Sequence, residues 1–227
     1  LWLFPSEPTA QKRSFTWSRT GLYYASAPIV LMLLAVIGMR WTPLALFWLW
    51  PALSLAIVAA AYFGLGVSVF QKRTDGHVSL ASYWLLMPYR LGARINAWAW
   101  TRRLPSAVHV SDSVYLGRFP NESEIKGFAA VIDLTGEMLV PKHQGVHWMA
   151  YPVLDLTAPP IQTLRDAAQA IQMTRGSGKV LVCCALGMQR SAAAIALWLV
   201  ETGKANSTAG AIAMLRQTGR PVHLDTA

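Results

Sequence analysis

Two long apolar stretches open the chain, and a mixed pattern follows them. No position from 20 to 39 is charged, and none from 41 to 71 is either; Arg40 alone divides the two. A helix rises about 1.5 Å per residue, so roughly 20 residues cross a hydrocarbon core of about 30 Å. Both stretches meet that length. They predict two spans, 20–39 and about 43–70, joined by a tight turn at Arg40-Trp41-Thr42-Pro43. The alternative is a pair of buried core helices, but uncharged runs of this length back to back are rare in soluble folds. A cleaved signal peptide fits poorly, because the runs are too long and the second follows at once. Pro28 lies inside the first run and is a candidate kink.

The pattern changes beyond residue 71. Thr74-Asp75-Gly76 reads as a turn, and Pro88 divides residues 78–103. After Pro88, Leu91, Ile95 and Trp98 recur at helical spacing while Arg90 and Arg94 share another face. An interfacial amphipathic helix and a linker helix packed on the next domain both fit. Residues 107–227 alternate between short apolar runs and helical patterns. Strands are expected at 113–116, 129–134, 148–154 and 179–183. Helices are expected at 160–173, 191–202 and 208–216, the last with Ser207 as its N-cap. That alternation predicts a central sheet with helices on its faces. Four segments result: a polar lead-in (1–19), a transmembrane helical hairpin (20–70), an interfacial or linker region (71–106) and an α/β domain (107–227).

Charge sharpens this division. The net charge of +9 is lopsided. Residues 1–103 carry ten Lys/Arg against two acids, whereas residues 104–227 carry ten against nine. The basic excess flanks the apolar runs, which implies membrane lipids with anionic head groups as partners. A surface for nucleic acid would belong on the nearly neutral α/β domain, so nucleic acid is not expected. Lys12, Arg13 and Arg19 precede the first run, and Lys72, Arg73, Arg90, Arg94, Arg102 and Arg103 follow the second. This predicts an integral membrane protein with both ends of the chain, and the α/β domain, in the cytoplasm. Trp17, Tyr23, Tyr24, Trp41, Trp48 and Trp50 are candidate interface anchors. The chain begins with Leu1, as expected of the later part of a longer polypeptide. Its two cysteines, Cys183 and Cys184, are adjacent, and a structural disulfide is not expected.

The chemistry concentrates in Val180-Leu181-Val182-Cys183-Cys184-Ala185-Leu186-Gly187-Met188-Gln189-Arg190-Ser191. A buried strand delivers Cys184, a loop of five residues follows, and Arg190 and Ser191 open a helix. A tight loop at a helix N-terminus turns successive N–H groups inward and makes an anion cradle. Arg190 can reach across it and hold two phosphate oxygens with its planar fork. The helix dipole and Arg190 should lower the Cys184 pKa, so that the thiolate is present near neutral pH. Gly187 supplies backbone freedom, and Ser191 can donate a hydrogen bond to the sulfur. The phosphate-binding loop is then Ala185, Leu186, Gly187, Met188 and Gln189.

This segment resembles the signature loop of protein tyrosine and dual-specificity phosphatases: a Cys, five residues, an Arg, then Ser or Thr. The resemblance covers about residues 107–227, with support from Val114-Tyr115-Leu116-Gly117, Val131-Ile132-Asp133-Leu134 and Asp155. It implies an α/β phosphatase domain, a central sheet flanked by helices, preceded by the two-helix hairpin. It also implies a cysteinyl-phosphate intermediate and an Asp on a mobile loop that protonates the leaving oxygen. Asp155, 29 residues before Cys184, matches that role. Asp133, at the end of a buried strand, is the rival and reads as structural. The membrane portion, together with Val69 to Gly76, Pro88 to Arg94 and Val114 to Pro120, resembles the C-terminal part of bacterial fusion proteins. Those join a type-2 phosphatidic acid phosphatase to a dual-specificity phosphatase, which would put a membrane phosphatase domain upstream in the same polypeptide.

One position departs from the family. A His usually precedes the nucleophile, and here Cys183 stands there. Cys183 reads as a small buried hydrophobe, or as a resolving thiol for oxidised Cys184. The loop carries no charge, which argues against a highly phosphorylated head group as substrate. His143 and His147 are four apart, but Pro141 and Gly145 argue against a helix there, and no metal site or cofactor is expected. Arg216 and Arg220 read as structural or solvated. Three functions remain open: a phosphatase acting on a lipid phosphate at the cytoplasmic leaflet, a phosphatase acting on membrane phosphoproteins, and a phospho-ligand binding module without turnover.

Overall fold

A computed structural model describes residues 19–224, which fall into two compact units meeting between Val69 and Phe70. The polar lead-in, with Lys12, Arg13 and Trp17, lies outside the described residues.

In the first unit, α1 (Arg19–Gly38) continues through Pro28 as one helix. The second apolar run is segmented. Thr42 opens it, its side-chain oxygen accepting from the Leu44 N–H at 3.3 Å. A 3-10 turn (Pro43–Trp48) leads into α2 (Leu49–Ala60). A wide turn (Ala61–Leu65) and a second 3-10 turn (Gly66–Phe70) follow. The break sits at Gly64 (φ 129°) and Gly66 (φ 71°), backbone states that glycine reaches without steric cost. Where the runs meet, a Cβ on Gly38 would lie 2.8 Å from that of Ala45, so glycine permits the close approach. Tyr24 and Tyr62 stack nearly parallel at 5.1 Å between the runs. Both stretches are long and apolar enough to cross a bilayer.

The second unit is built on five strands: β1 (Ala107–Ser111), β2 (Val114–Arg118), β3 (Ala130–Thr135), β4 (His147–Val153) and β5 (Val180–Cys184). Their order is β1-β2-β5-β3-β4, with β1 antiparallel to β2 and the other pairs parallel. Parallel strands covered on both faces read as unbroken apolar runs, and β3 and β5 are buried at every position. Side chains alternate across the sheet. Leu116, Ile132, Val182 and Cys184 face α5 (Ile161–Thr174), α6 (Arg190–Glu201) and α7 (Thr208–Gln217). Val131, Leu181 and Cys183 face the opposite way, against Ile125 and Trp148. Ser207 caps α7 as expected, accepting from the Gly210 N–H at 3.1 Å.

Residues 70–106 pack onto this sheet. Lys72 and Val78 pair across a hairpin whose turn is Thr74-Asp75-Gly76. The Ala150 N–H on β4 donates to the Thr74 carbonyl at 2.8 Å. Lys72 turns its side chain inward, out of contact with solvent. Its ammonium bonds Asp133 at 2.5 Å, the Met138 carbonyl at 2.9 Å and Thr135 at 3.0 Å. α3 (Leu80–Leu85) is capped by Ser79, and α4 (Met87–Thr101) carries Pro88 in its first turn, where no N–H is required.

Arg90 and Arg94 lie one turn apart on α4 but differ in burial. Arg90 is buried and donates to the Ser82 carbonyl, the Ser82 hydroxyl and the Phe70 carbonyl, while Arg94 is exposed. Ala97 packs against Met138 and Ala185, so α4 rests on the α/β unit. Leu91, Ile95 and Trp98 remain uncovered.

Candidate active site

β5 ends at Cys184 and α6 begins at Arg190, with residues 185–189 as the turn between them. The turn is tight because Gly187 sits at φ +71° directly over Gly117 of β2. A Cβ at position 187 would collide with the Gly117 carbonyl. The Cys184 sulfur accepts from the Gly187 N–H at 3.2 Å and from the Ser191 hydroxyl at 3.3 Å. Ala185 and Met188 are buried, and Leu186 and Gln189 are half-buried.

A second layer holds this loop. Arg220, on the segment after α7, donates to the carbonyls of Leu186 (2.7 Å), Gly187 (2.9 Å) and Pro105 (2.7 Å). The His223 N–H donates to the Met188 carbonyl at 3.0 Å. With those carbonyls taken up on the outside, the loop amides are free to turn inward. Arg220 is therefore a buried brace of the loop rather than a solvated cation.

Arg190 is 1% exposed and lies in a ring of acceptors. Its two terminal nitrogens meet the Glu137 carboxylate at 2.7 and 3.1 Å, and one of them also reaches the Val153 carbonyl at 2.9 Å. Asp155, on the loop after β4, approaches the same guanidinium at 3.0 Å and stays 38% exposed. The fold thus brings Cys184, Arg190, Ser191 and Asp155 together. It also adds Glu137, which no local motif announces. Asp133 is tied to Lys72 and to the N–H and hydroxyl of Thr135, away from this cluster. His143 and His147 do not join it either. Among the described residues no group of three metal-ligating side chains occurs.

A thiol hydrogen-bonded by a loop at a helix N-terminus, with an arginine six residues after it and a carboxyl beside that arginine, is a phosphoryl-transfer arrangement. Residues 114–224 match the family described as "Dual specificity phosphatase, catalytic domain". This stretch of the chain resembles the catalytic domain of dual specificity phosphatases. Similar solved structures include the active form of Tk-PTP, 27% identical, covering 53% of this chain and 90% of that one at a TM-score of 0.47. Human DUSP28 is 23% identical, covering 53% and 86% at 0.47. PTPMT1 in complex with PI(5)P is 17% identical, covering 53% and 88% at 0.47. A search of curated proteins returned no match.

The electrostatics suit a cysteine-dependent phosphatase. Burial pushes the Cys184 thiol up, but Arg190, the Ser191 hydroxyl and the N–H groups of Ser191 and Gly187 outweigh it. The net shift is below the ordinary thiol value. Burial likewise opposes the charge on Arg190, and Glu137 and Asp155 overcome it, so the guanidinium stays charged. Burial holds the Asp155 carboxyl above the usual range against the pull of Arg190, and the Glu137 charge adds to the rise. Cys183 differs from its neighbour. Burial and the Asp133 charge push its thiol far up, as fits a packed hydrophobe and not a nucleophile.

Proposed function

We propose that the chain is a membrane-anchored phosphate monoester hydrolase that works through a cysteinyl-phosphate, with a lipid phosphate at the cytoplasmic leaflet as its substrate. The observation that carries the chemistry is the Cys184 sulfur. It is held by two donors at 3.2 and 3.3 Å, at the mouth of α6 and beside the charge of Arg190.

In the first step the Cys184 thiolate attacks phosphorus and the P–O bond to the alcohol breaks. Asp155 gives its proton to the leaving oxygen. Arg190 and the loop amides hold the non-bridging oxygens as charge builds on them. In the second step water attacks the phosphocysteine, Asp155 takes a proton from that water, and the S–P bond breaks to release inorganic phosphate. Ser191 stabilises the departing thiolate. Glu137 grips the end of the Arg190 fork and so sets the plane in which it meets phosphate.

The lipid reading rests on the two apolar helices of the same chain. Tethering confines the site near a bilayer and raises the effective concentration of a substrate that lies in it.

The test is phosphate release by the full chain in detergent, over lipid phosphates and phosphopeptides. The expected result is turnover of lipid phosphate well above that of peptides, abolished by Cys184→Ser with phosphate binding retained. Preference for phosphopeptides would move the substrate to membrane phosphoproteins. Binding without turnover in the wild type would reduce the domain to a phospho-ligand module.

A further inference from the structure

The stripe formed by Leu91, Ile95 and Trp98 is the feature of the second unit that its packing does not explain. All three side chains are more than half exposed, and they recur at i, i+4 and i+7 along α4. Apolar residues on the opposite side of the helix are already satisfied: Ala97 is buried in a cluster with Met138 and Ala185, and Ala93 packs against that cluster. Trp84, on α3, is exposed as well.

We propose that α4 is an in-plane membrane contact, its Leu91–Ile95–Trp98 stripe seated in the lipid–water interface. Three observations select lipid as the occupant. First, the chain between residues 76 and 111 holds four arginines and no Asp or Glu. Arg90 is used internally, which leaves Arg94, Arg102 and Arg103 exposed beside the stripe to meet anionic head groups. Second, Arg102 lies over the Trp98 ring at 5.5 Å, a cation joined to an aromatic of the type enriched at membrane interfaces. Third, α4 follows in the same chain, after the 72–78 hairpin and α3, on an apolar run long enough to span a bilayer, Pro43–Phe70. An amphipathic helix with an apolar stripe, a basic margin and an apolar run of spanning length upstream of it is built to lie along a bilayer.

The contact has a consequence for the site. On the helix face opposite the stripe, Ala97 shares a buried cluster with Ala185, the first residue of the phosphate-binding loop, and with Met138, next to Glu137. Only one helix diameter, about 10 Å, then separates the catalytic loop from the head groups. The inference deepens the membrane part of the proposed function, but it does not depend on which phosphate ester is turned over.

The experiment is spin-label depth measurement on the full chain, reconstituted in vesicles of phosphatidylcholine and phosphatidylglycerol. Labels are placed at Leu91→Cys and at Ile95→Cys, each in a Cys184→Ser background, with Lys126→Cys as the aqueous control. At 91 and 95, collisions with oxygen should rise and collisions with a soluble nickel chelate should fall relative to 126. Nickel access at 91 and 95 equal to that at 126 would overturn the proposal. So would labels closed to both reagents in detergent and vesicles alike, because protein would then cover the stripe. A second variant guards against misfolding. Leu91→Asp with Ile95→Asp, in the otherwise native chain, should keep turnover of a small soluble phosphate ester and lose turnover of lipid phosphate in vesicles. Unchanged turnover of lipid phosphate in that variant would also overturn it. If no lipid phosphate were turned over even by the wild type, the depth measurement would still decide the contact.

Discussion

Glu137 takes both terminal nitrogens of Arg190 in one carboxylate, at 2.7 and 3.1 Å, and both side chains are sealed from solvent. Breaking such a pair by removing one partner leaves a buried charge uncompensated. Glu137→Ala should therefore cost about 3–5 kcal/mol of stability, read from chemical denaturation of the full chain in detergent. The pH dependence has a definite sign. Burial pushes the Glu137 carboxyl up, but Arg190 holds it below the usual range. Its contribution is complete above the ordinary carboxylate pKa and is lost as pH falls through the depressed folded value. Melting temperature should drop more steeply on acidification in the wild type than in Glu137→Gln.

In the proposed mechanism turnover needs Cys184 ionised and Asp155 protonated. The Cys184 thiol is held below its ordinary value and the Asp155 carboxyl above its own. kcat/KM should fall on the acid side as Cys184 regains its proton, and on the basic side as Asp155 loses its own. Asp155→Asn should lower kcat by about 10²-fold or more and flatten the basic limb, measured with a soluble aryl phosphate. A basic limb unchanged in that variant would assign the acid elsewhere.

Gly187 faces the Gly117 carbonyl at a positive φ, so an added methyl must push the loop away from β2. Gly187→Ala should destabilise the fold by more than about 1 kcal/mol. A shift of the loop by about 1 Å should lower kcat by roughly 10²-fold. Steady-state kinetics beside a thermal melt would separate the two effects.

Lys72 is the sole cation on buried Asp133 among the ion pairs of the described residues. Lys72→Met keeps the stem and removes the charge, leaving the carboxylate unpaired. The expected loss is about 3–5 kcal/mol, measured by denaturant titration. The double variant with Asp133→Asn should recover part of it.

Much of the site could be read from the chain because its parts are close in sequence. Cys184, Gly187, Arg190 and Ser191 fall within eight residues, and strand, turn and helix signals agree around them. Glu137 could not be read this way. It lies 53 residues from Arg190, in a loop without periodicity, and only the pairing of β3 with β5 brings the two together. The burial of Arg90 is hidden from the sequence for a related reason. Helical spacing places it beside Arg94, but the carbonyls of Phe70 and Ser82 that draw it inward belong to other segments. β1 gives little signal in the sequence because its five residues lie at an edge, pair with one neighbour and alternate weakly. The segmentation after α2 has its cause in Gly64 and Gly66, which hydropathy does not register.

Adjacent positions on a strand look in opposite directions, and so the sulfurs of Cys183 and Cys184 lie on opposite faces of the sheet. No other cysteine is present in the 227 residues. A Cys184 sulfenic acid formed by peroxide therefore cannot condense with Cys183 while the strand stays paired in the sheet.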